Sequence, residues 1–247
     1  MIAVIVPAHN EEALIASCLQ SLQVAARDPA LGGEAVTVVV ALDRCSDGTA
    51  AICCALGVQV VSVDAGCVGV ARAVASERAL ALGARWIGCT DADSRVPSDW
   101  LARQVQCGAS AFCGVVAVED WLDYPDDVRQ QFVQGELARD GHPHVHGANM
   151  GFSATAYRRS GGFAPLATGE DVALIHAMHS AGLRVARLAH PRVTTSARRH
   201  ARAPNGFSGF LHRLEQKIVA RDAGVLAEDA AFGLPGGCNR LARAAGA

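Results

Sequence analysis

The hydrophobic pattern divides the chain into two parts of different character. In the first part, short continuous apolar runs recur: Ile2–Val6 closed by Pro7, Val36–Leu42 closed by Asp43, Val58–Val63, and Arg85–Thr90. Runs this short, with no polar alternation, predict strands buried on both faces. Between them the period changes. Apolar residues at 14, 15, 18, 19 and 22 follow a helical spacing, a tight turn at Arg44–Thr49 opens a helix that stops near Gly57, and Gly66 and Gly83 bound a third helix that carries Arg72. Strand–helix alternation of this kind predicts an α/β fold with a Rossmann-like, mostly parallel, doubly wound sheet. Asn10 reads as the N-cap of the first helix, with Glu11 and Glu12 at its positive end, and Ser98 as the N-cap of a helix after Pro97.

The second part is less regular. Ala111–Val118 predicts a strand, the acidic stretch Glu119–Asp127 follows, and a helix is expected over Asp126–Arg139. His142, His144 and His146 alternate, so an extended backbone places all three imidazoles on one face. Gly169-Glu170-Asp171 opens an apolar helix over Val172–Ala181, stopped by Gly182. From Val172 to Leu214 there is no Asp or Glu, but there are seven Arg and five His, and Thr194–Phe207 reads as a flexible basic loop. No repeat or linker interrupts the chain. The expected organisation is one domain over 1–233, with halves at 1–95 and 96–222, a basic lid loop at 190–207, and a weakly ordered Gly- and Ala-rich tail at 234–247.

Three of the four N-terminal strands end in polar or acidic clusters: Pro7–Glu11, Asp43–Asp47 and Asp91-Ala-Asp93. In a parallel sheet these ends share one edge, where open α/β folds bind ligands. Two carboxylates one residue apart offer hard oxygen donors, which suit Mg²⁺ or Mn²⁺ sharing its shell with phosphate oxygens. Composition narrows the field. The chain is 51% hydrophobic and 19% charged, as globular domains are. Its net charge of −2 gives no global case for nucleic-acid or membrane binding. Its basic character is almost all Arg, 21 against the single Lys217, and Arg is the residue of bidentate phosphate and carboxylate recognition. Nine dispersed Cys with no Cys-x-x-Cys argue for a reducing, cytoplasmic setting and against a disulfide framework. The sequence has no basic leader and no apolar run long enough to span a bilayer. Neither a signal peptide nor a transmembrane segment is therefore expected.

Taken together, the clusters resemble the family 2 glycosyltransferases, which have the A-type glycosyltransferase fold, over residues 2 to 211. Val6-Pro7-Ala8-His9-Asn10-Glu11-Glu12 and Asp43 through Thr49 match the two nucleotide-binding turns. Asp91-Ala-Asp93 matches the metal motif. Gly147-Ala-Asn149 through Phe163 matches the segment below the acceptor site, and Glu170-Asp171 the acidic pair. The resemblance implies inverting transfer from a nucleotide-diphosphate sugar, bound by the first half, to a small or lipid-linked acceptor bound by the second. It implies that Pro7, Ala8 and Glu11 hold the nucleoside, Asp43 takes the base's imide N–H, and Arg72 lies near the diphosphate. Asp93 would hold the metal, with Asp91 on the ribose or assisting at the metal. Asp171 would be the general base and Glu170 would position it or the donor sugar. In the lid loop, Arg198, Arg199 or Arg202 would reach phosphate oxygens, and His200 or His190 would complete the metal shell. The family's Gln-x-x-Arg-Trp is absent, which argues against a processive polysaccharide synthase. The chain is compatible with an oligomer.

Each piece also has a plainer explanation. Asn10–Glu12 can be a capped helix start, Asp43 and Ser46 turn residues, Glu170 and Asp171 dipole-stabilised acids, and Arg72 an ordinary salt-bridged side chain. For the three His, the expectation is a rim of the acceptor pocket rather than a transition-metal site, because no acid or Cys lies at ligand spacing. Two rival functions remain: a non-catalytic nucleotide-sugar-binding scaffold, and a sugar-phosphate nucleotidyltransferase. The latter would carry a Gly-rich basic loop after the first strand, which Pro7-Ala-His-Asn-Glu is not.

Overall fold

The four apolar runs become β1 (Ile2–Ala8), β2 (Val36–Asp43), β3 (Gln59–Val63) and β4 (Trp86–Cys89), all parallel. Helices α1 (Ile15–Ala25), α2 (Thr49–Ala55) and α3 (Val68–Ala81) connect them. The computed structural model describes residues 1–136, 138–199 and 206–222, without the side chain of Asp222. His200 and Arg202 of the lid loop, and the tail 234–247, lie outside the described residues. β5 (Ala111–Ala117), β6 (Met150–Ser153) and β7 (Val185–Thr194) complete a seven-stranded sheet of order β3-β2-β1-β4-β6-β5-β7, in which β6 runs antiparallel to its neighbours. The second part also supplies α4 (Trp100–Val105), α5 (Asp126–Gly135), α6 (Ala154–Arg159), α7 (Glu170–Ser180) and α8 (Phe207–Asp222).

β1 shows why the runs carry no alternation. Ile2, Val4 and Val6 enter one core with Leu19, Leu22 and Trp100, whereas Ala3 and Ile5 enter another with Ala71, Ala75 and Met178. A strand covered by helices on both faces has no polar side to display. A third, smaller cluster joins β5, α5 and α8 through Val116, Val128, Phe132 and Leu211.

Some expected details change. The helix after Pro97 starts at Trp100 with Asp99 at its N-cap, so Ser98 is not the cap. Asn10 does not cap α1, whose N-cap is Leu14. Asn10 instead sits in the left-handed region, at φ 54°, and serves the site described below. The helix expected to reach Arg139 ends at Gly135. β6 has only four residues, and β7 contains Pro191, Arg187, His190 and Arg192, so neither gives an apolar run. β7 lies at the sheet's edge, where a proline costs no central ladder bond. No helix among the described residues is long and apolar enough to cross a membrane. The eight described cysteines are free, and burial pushes the thiols of Cys89 and Cys113 up to about 12. Those two behave as small core hydrophobes.

Asn149 ties α4, β5 and β7 together within the second part. Its side chain is fully buried, accepts from Trp100 Nε1 at 2.9 Å, and donates to the carbonyls of Val115 (2.8 Å) and Pro191 (2.9 Å). Asn149→Leu strands an indole N–H and two carbonyls. We expect a loss of about 2 kcal/mol or more, seen in urea unfolding as a lower midpoint at unchanged slope.

Candidate active site

The strand order reverses about β1, with β2 and β3 on one side and β4 and the remaining strands on the other. Loops leaving neighbouring strands in opposite directions open a crevice at the C-terminal edge. The segments after β1, β2 and β4 meet there.

The first two are clasped together. Asn10 Oδ1 accepts the Ser46 N–H at 2.7 Å, Glu12 Oε2 accepts the Gly48 N–H at 2.7 Å, and the Glu11 N–H donates to Thr49 Oγ1 at 2.7 Å. Thr49 in turn donates to Asp47 Oδ1 at 2.6 Å. Asn tolerates the left-handed backbone this requires. Arg44 adopts that region too, at φ 53. Asn10-Glu11-Glu12 is therefore a cross-loop clasp rather than a helix cap. Pro7 is half-buried and Ala8 is buried at the end of β1. Asp43 is buried and organises the β3–α3 turn. Its Oδ1 accepts from Ala65 and Gly66, both at 2.9 Å, and its Oδ2 from Cys67 at 2.8 Å. Burial opposes its charge, but the three backbone N–H groups prevail and hold the carboxyl below its usual range.

Two guanidinium groups each bridge two carboxylates from distant elements. Arg72, on α3, is 4% exposed; it bonds Glu170 Oε1 at the start of α7 and lies 2.5 Å from Asp91 Oδ1 after β4. Arg198, after β7, lies 2.8 Å from Glu11 Oε1 and 2.7 Å from Asp93 Oδ2. Asp91 and Asp93 thus serve different partners. Asp91 is 35% exposed and leans on Arg72, whereas Asp93 is 9% exposed and faces Arg198. Burial pushes Asp93 up to about 6, despite the opposing pull of Arg198.

Asp171 occupies the first turn of α7, where the helix dipole favours an acid. Its Oδ2 accepts the Gly147 N–H at 2.7 Å and its Oδ1 the Val172 N–H at 2.8 Å. Gly147 has to be glycine here: a Cβ would meet the Arg72 guanidinium at 2.3 Å. Arg72, Glu170, Asp91, Asp171 and Gly147 form one contiguous group.

The structure corrects three assignments. Arg72 lies buried among carboxylates rather than open to a diphosphate. Arg199 does not point towards phosphate: it lies 2.5 Å from Asp123 and 2.7 Å from Glu215, with its guanidinium 4.1 Å above the Tyr124 ring. His142 and His144 are 1% and 5% exposed, so the three-His segment is not a pocket rim. His190 is exposed on β7. The Arg198–Glu11 contact spans 187 residues, and no spacing in the sequence signals it.

Comparison with known proteins agrees with this architecture. A family model described as glycosyl transferase family 2 matches residues 3–159. A search of curated proteins gave no match. Among solved structures, residues 1–349 of TarS from S. aureus, in complex with UDP-GlcNAc, have a TM-score of 0.62 at 16% identity, covering 89% of this chain and 66% of that one. The mannosyltransferase PcManGT from Pyrobaculum calidifontis, in complex with GDP-Man and Mn²⁺, has a TM-score of 0.60 at 19% identity, covering 92% and 76%. Glucosyl-3-phosphoglycerate synthase from Mycobacterium tuberculosis, in complex with phosphoglyceric acid, has a TM-score of 0.53 at 19% identity, covering 95% and 83%. This chain spans just under two thirds of that TarS fragment and 43% of a longer TarS chain. With the family model covering well over half its length, the chain belongs to glycosyl transferase family 2 and has the α/β fold of the A-type glycosyltransferases.

Proposed function

We propose that this protein transfers a sugar, with inversion, from a nucleotide-diphosphate sugar to an acceptor hydroxyl, using Asp171 as general base and Asp93 at a divalent cation. The observation that carries the reading is the pair of carboxylates, Glu11 and Asp93, gathered around the Arg198 guanidinium at the reversal point of the sheet. The donor set is hard oxygen, the crevice lies at the sheet's reversal point, where open α/β folds bind ligands, and the Arg198 guanidinium already stands where positive charge is favoured. These residues fit Mg²⁺ or Mn²⁺, with Asp93 as the ligand and Asp91 assisting. Such a cation supplies charge neutralisation for the departing diphosphate.

The chain's own residues do the rest. Pro7, Ala8 and the clasped turns form the nucleoside floor. Asp43 Oδ2 accepts one N–H in the turn and so keeps a lone pair for the imide of a base, while Oδ1 is saturated. Arg72 acts beneath the site, holding Glu170 and Asp91 in place. Arg198, once released from Glu11 and Asp93, is placed to pair with phosphate oxygens, and Arg202 of the same loop is assigned to the same task. Each oxygen of Asp171 accepts one N–H and retains a lone pair, so its carboxylate can take the acceptor's proton. As the acceptor oxygen bonds to the anomeric carbon from the face opposite the phosphate, the carbon–oxygen bond to the diphosphate breaks. The electron pair leaves with the nucleotide. We assign the acceptor to the class of small or lipid-linked hydroxyl compounds.

Asp93→Ala tests this most directly. Nucleotide-diphosphate sugars, screened with Mn²⁺, should raise the melting temperature of the wild type by several degrees, as expected when ligand greatly exceeds its Kd. Chelator should abolish the shift, and Asp93→Ala should show none while melting normally without ligand. An equal shift in the variant would remove Asp93 from the metal. Slow metal-dependent hydrolysis of the stabilising donor separates an enzyme from a binding scaffold.

A further inference from the structure

A second cluster of ligating groups lies on the chain between the end of α5 and Gly147, whose N–H bonds Asp171. Glu136 is the C-cap of α5, and His144 and His146 follow on the chain leading to the one-turn 3-10 helix Gly147–Asn149. One ligand atom from each of Glu136, His144 and His146 lies within 4.8 Å of the others. Glu136 and His144 are buried, and His146 is half-buried. His146 Nε2 lies 2.9 Å from Glu136 Oε1, which also accepts the Val116 N–H at 3.1 Å. The rings of His142, His144 and His146 stack in sequence at 5.7 and 5.8 Å, so they do share one face.

Two imidazole nitrogens of the stacked histidines, His142 Nδ1 and His144 Nε2, are buried without a hydrogen-bond partner among the described residues, and His144 belongs to the ligating group. Burying an imidazole nitrogen unpaired is unfavourable, and native structures rarely tolerate it unless something is missing from the picture. A water could serve one nitrogen, but a metal ion serves all three groups at once. Two imidazoles and one carboxylate form a His₂Glu set, which suits Zn²⁺ with its fourth position open, and the nitrogen donors disfavour Mg²⁺. Bonds of about 2.0–2.2 Å need a ligand-to-ligand spacing of about 3.3 Å, which lies between the 2.9 Å separating His146 from Glu136 and the 4.8 Å that bounds the group. The Val116 N–H supplies the orienting outer bond that such carboxylates have.

We propose that Glu136, His144 and His146 form a transition-metal site of the zinc type, separate from the donor site at Asp93. An ion there fixes residues 144–146 and hence the next backbone N–H, Gly147, which holds Asp171. This positioning role rests on the assignment of Asp171 as base; the metal site itself does not.

The test is metal binding by the full-length protein, dialysed against chelator and titrated with Zn²⁺ in excess Mg²⁺. One equivalent should bind, and Asp93→Ala should bind it equally, which keeps this site distinct from the donor reading. His144→Ala and Glu136→Gln should each weaken Zn²⁺ by about 100-fold or more. Co²⁺ titrated into the wild type should give visible bands of a tetrahedral nitrogen–oxygen site, a readout that needs no variant to fold. No bound equivalent at micromolar Zn²⁺, unchanged affinity in His144→Ala, or a Co²⁺ spectrum dominated by sulfur charge transfer from the cysteines would each overturn the proposal.

Discussion

Asp171→Asn should lower the rate of sugar transfer by about 10²- to 10⁴-fold while leaving donor affinity unchanged. An amide cannot take the acceptor's proton. The substitution is not sterically disruptive, but it is not silent either. Both Asp171 oxygens accept backbone N–H groups, from Gly147 and Val172, so the amide must turn its NH₂ towards one of them. That loses one charge-assisted bond and costs about 1 kcal/mol of stability, far less than needed to unfold a domain of this size. Steady-state rates, donor affinity by calorimetry and the melting temperature separate these effects. A fall in kcat without a change in donor Kd is the expected pattern. If the loss appears instead in donor affinity, with kcat preserved, Asp171 is a donor ligand and not the base.

Arg72→Met should destabilise the protein by about 3–5 kcal/mol. Methionine fills much of the same volume, so the loss comes from charge rather than from a cavity. Glu170 is 4% exposed on its side chain and would be left without its cationic partner, and Asp91 would lose the same support. The double variant Arg72→Met/Glu170→Gln removes both buried charges and should recover a large part of the deficit. Urea unfolding of the four proteins in this cycle measures the coupling. Strict additivity would show that the pair does not share a buried site. Because Arg72 also lies against Gly147, the single variant should slow transfer beyond what its stability predicts.

Much of the fold is readable in the chain. Four short, largely apolar runs separated by helical periods leave few alternatives to a parallel sheet covered on both faces. Asp43, Asp91 and Asp93 follow such runs, so their place on one edge comes with the strand assignment. Glu170 and Asp171 precede a helical period and so begin a helix. The second part is harder to read because its strands gain their stability from neighbours. β6 is four residues long and pairs on both sides, and β7 accepts Pro191 and four polar side chains because it is the sheet's edge. Those strands exist because β4 and β5 are already there to pair with them.

Local pattern determined the four N-terminal strands, most helices and the acidic edge, because burial on both faces of a strand leaves a short apolar run and burial on one face of a helix leaves its mark every third or fourth residue. Which acid serves which partner was decided only in three dimensions. Asp91 and Asp93 are indistinguishable as letters, yet one leans on Arg72 and the other on Arg198. Arg198 and Arg199 are adjacent, yet one meets Glu11 and the other meets Glu215. Glu136 reaches His144 and His146 only because the chain turns back after α5. Ion pairs and ligand sets depend on distance through space, and a distance through space has no period along the chain.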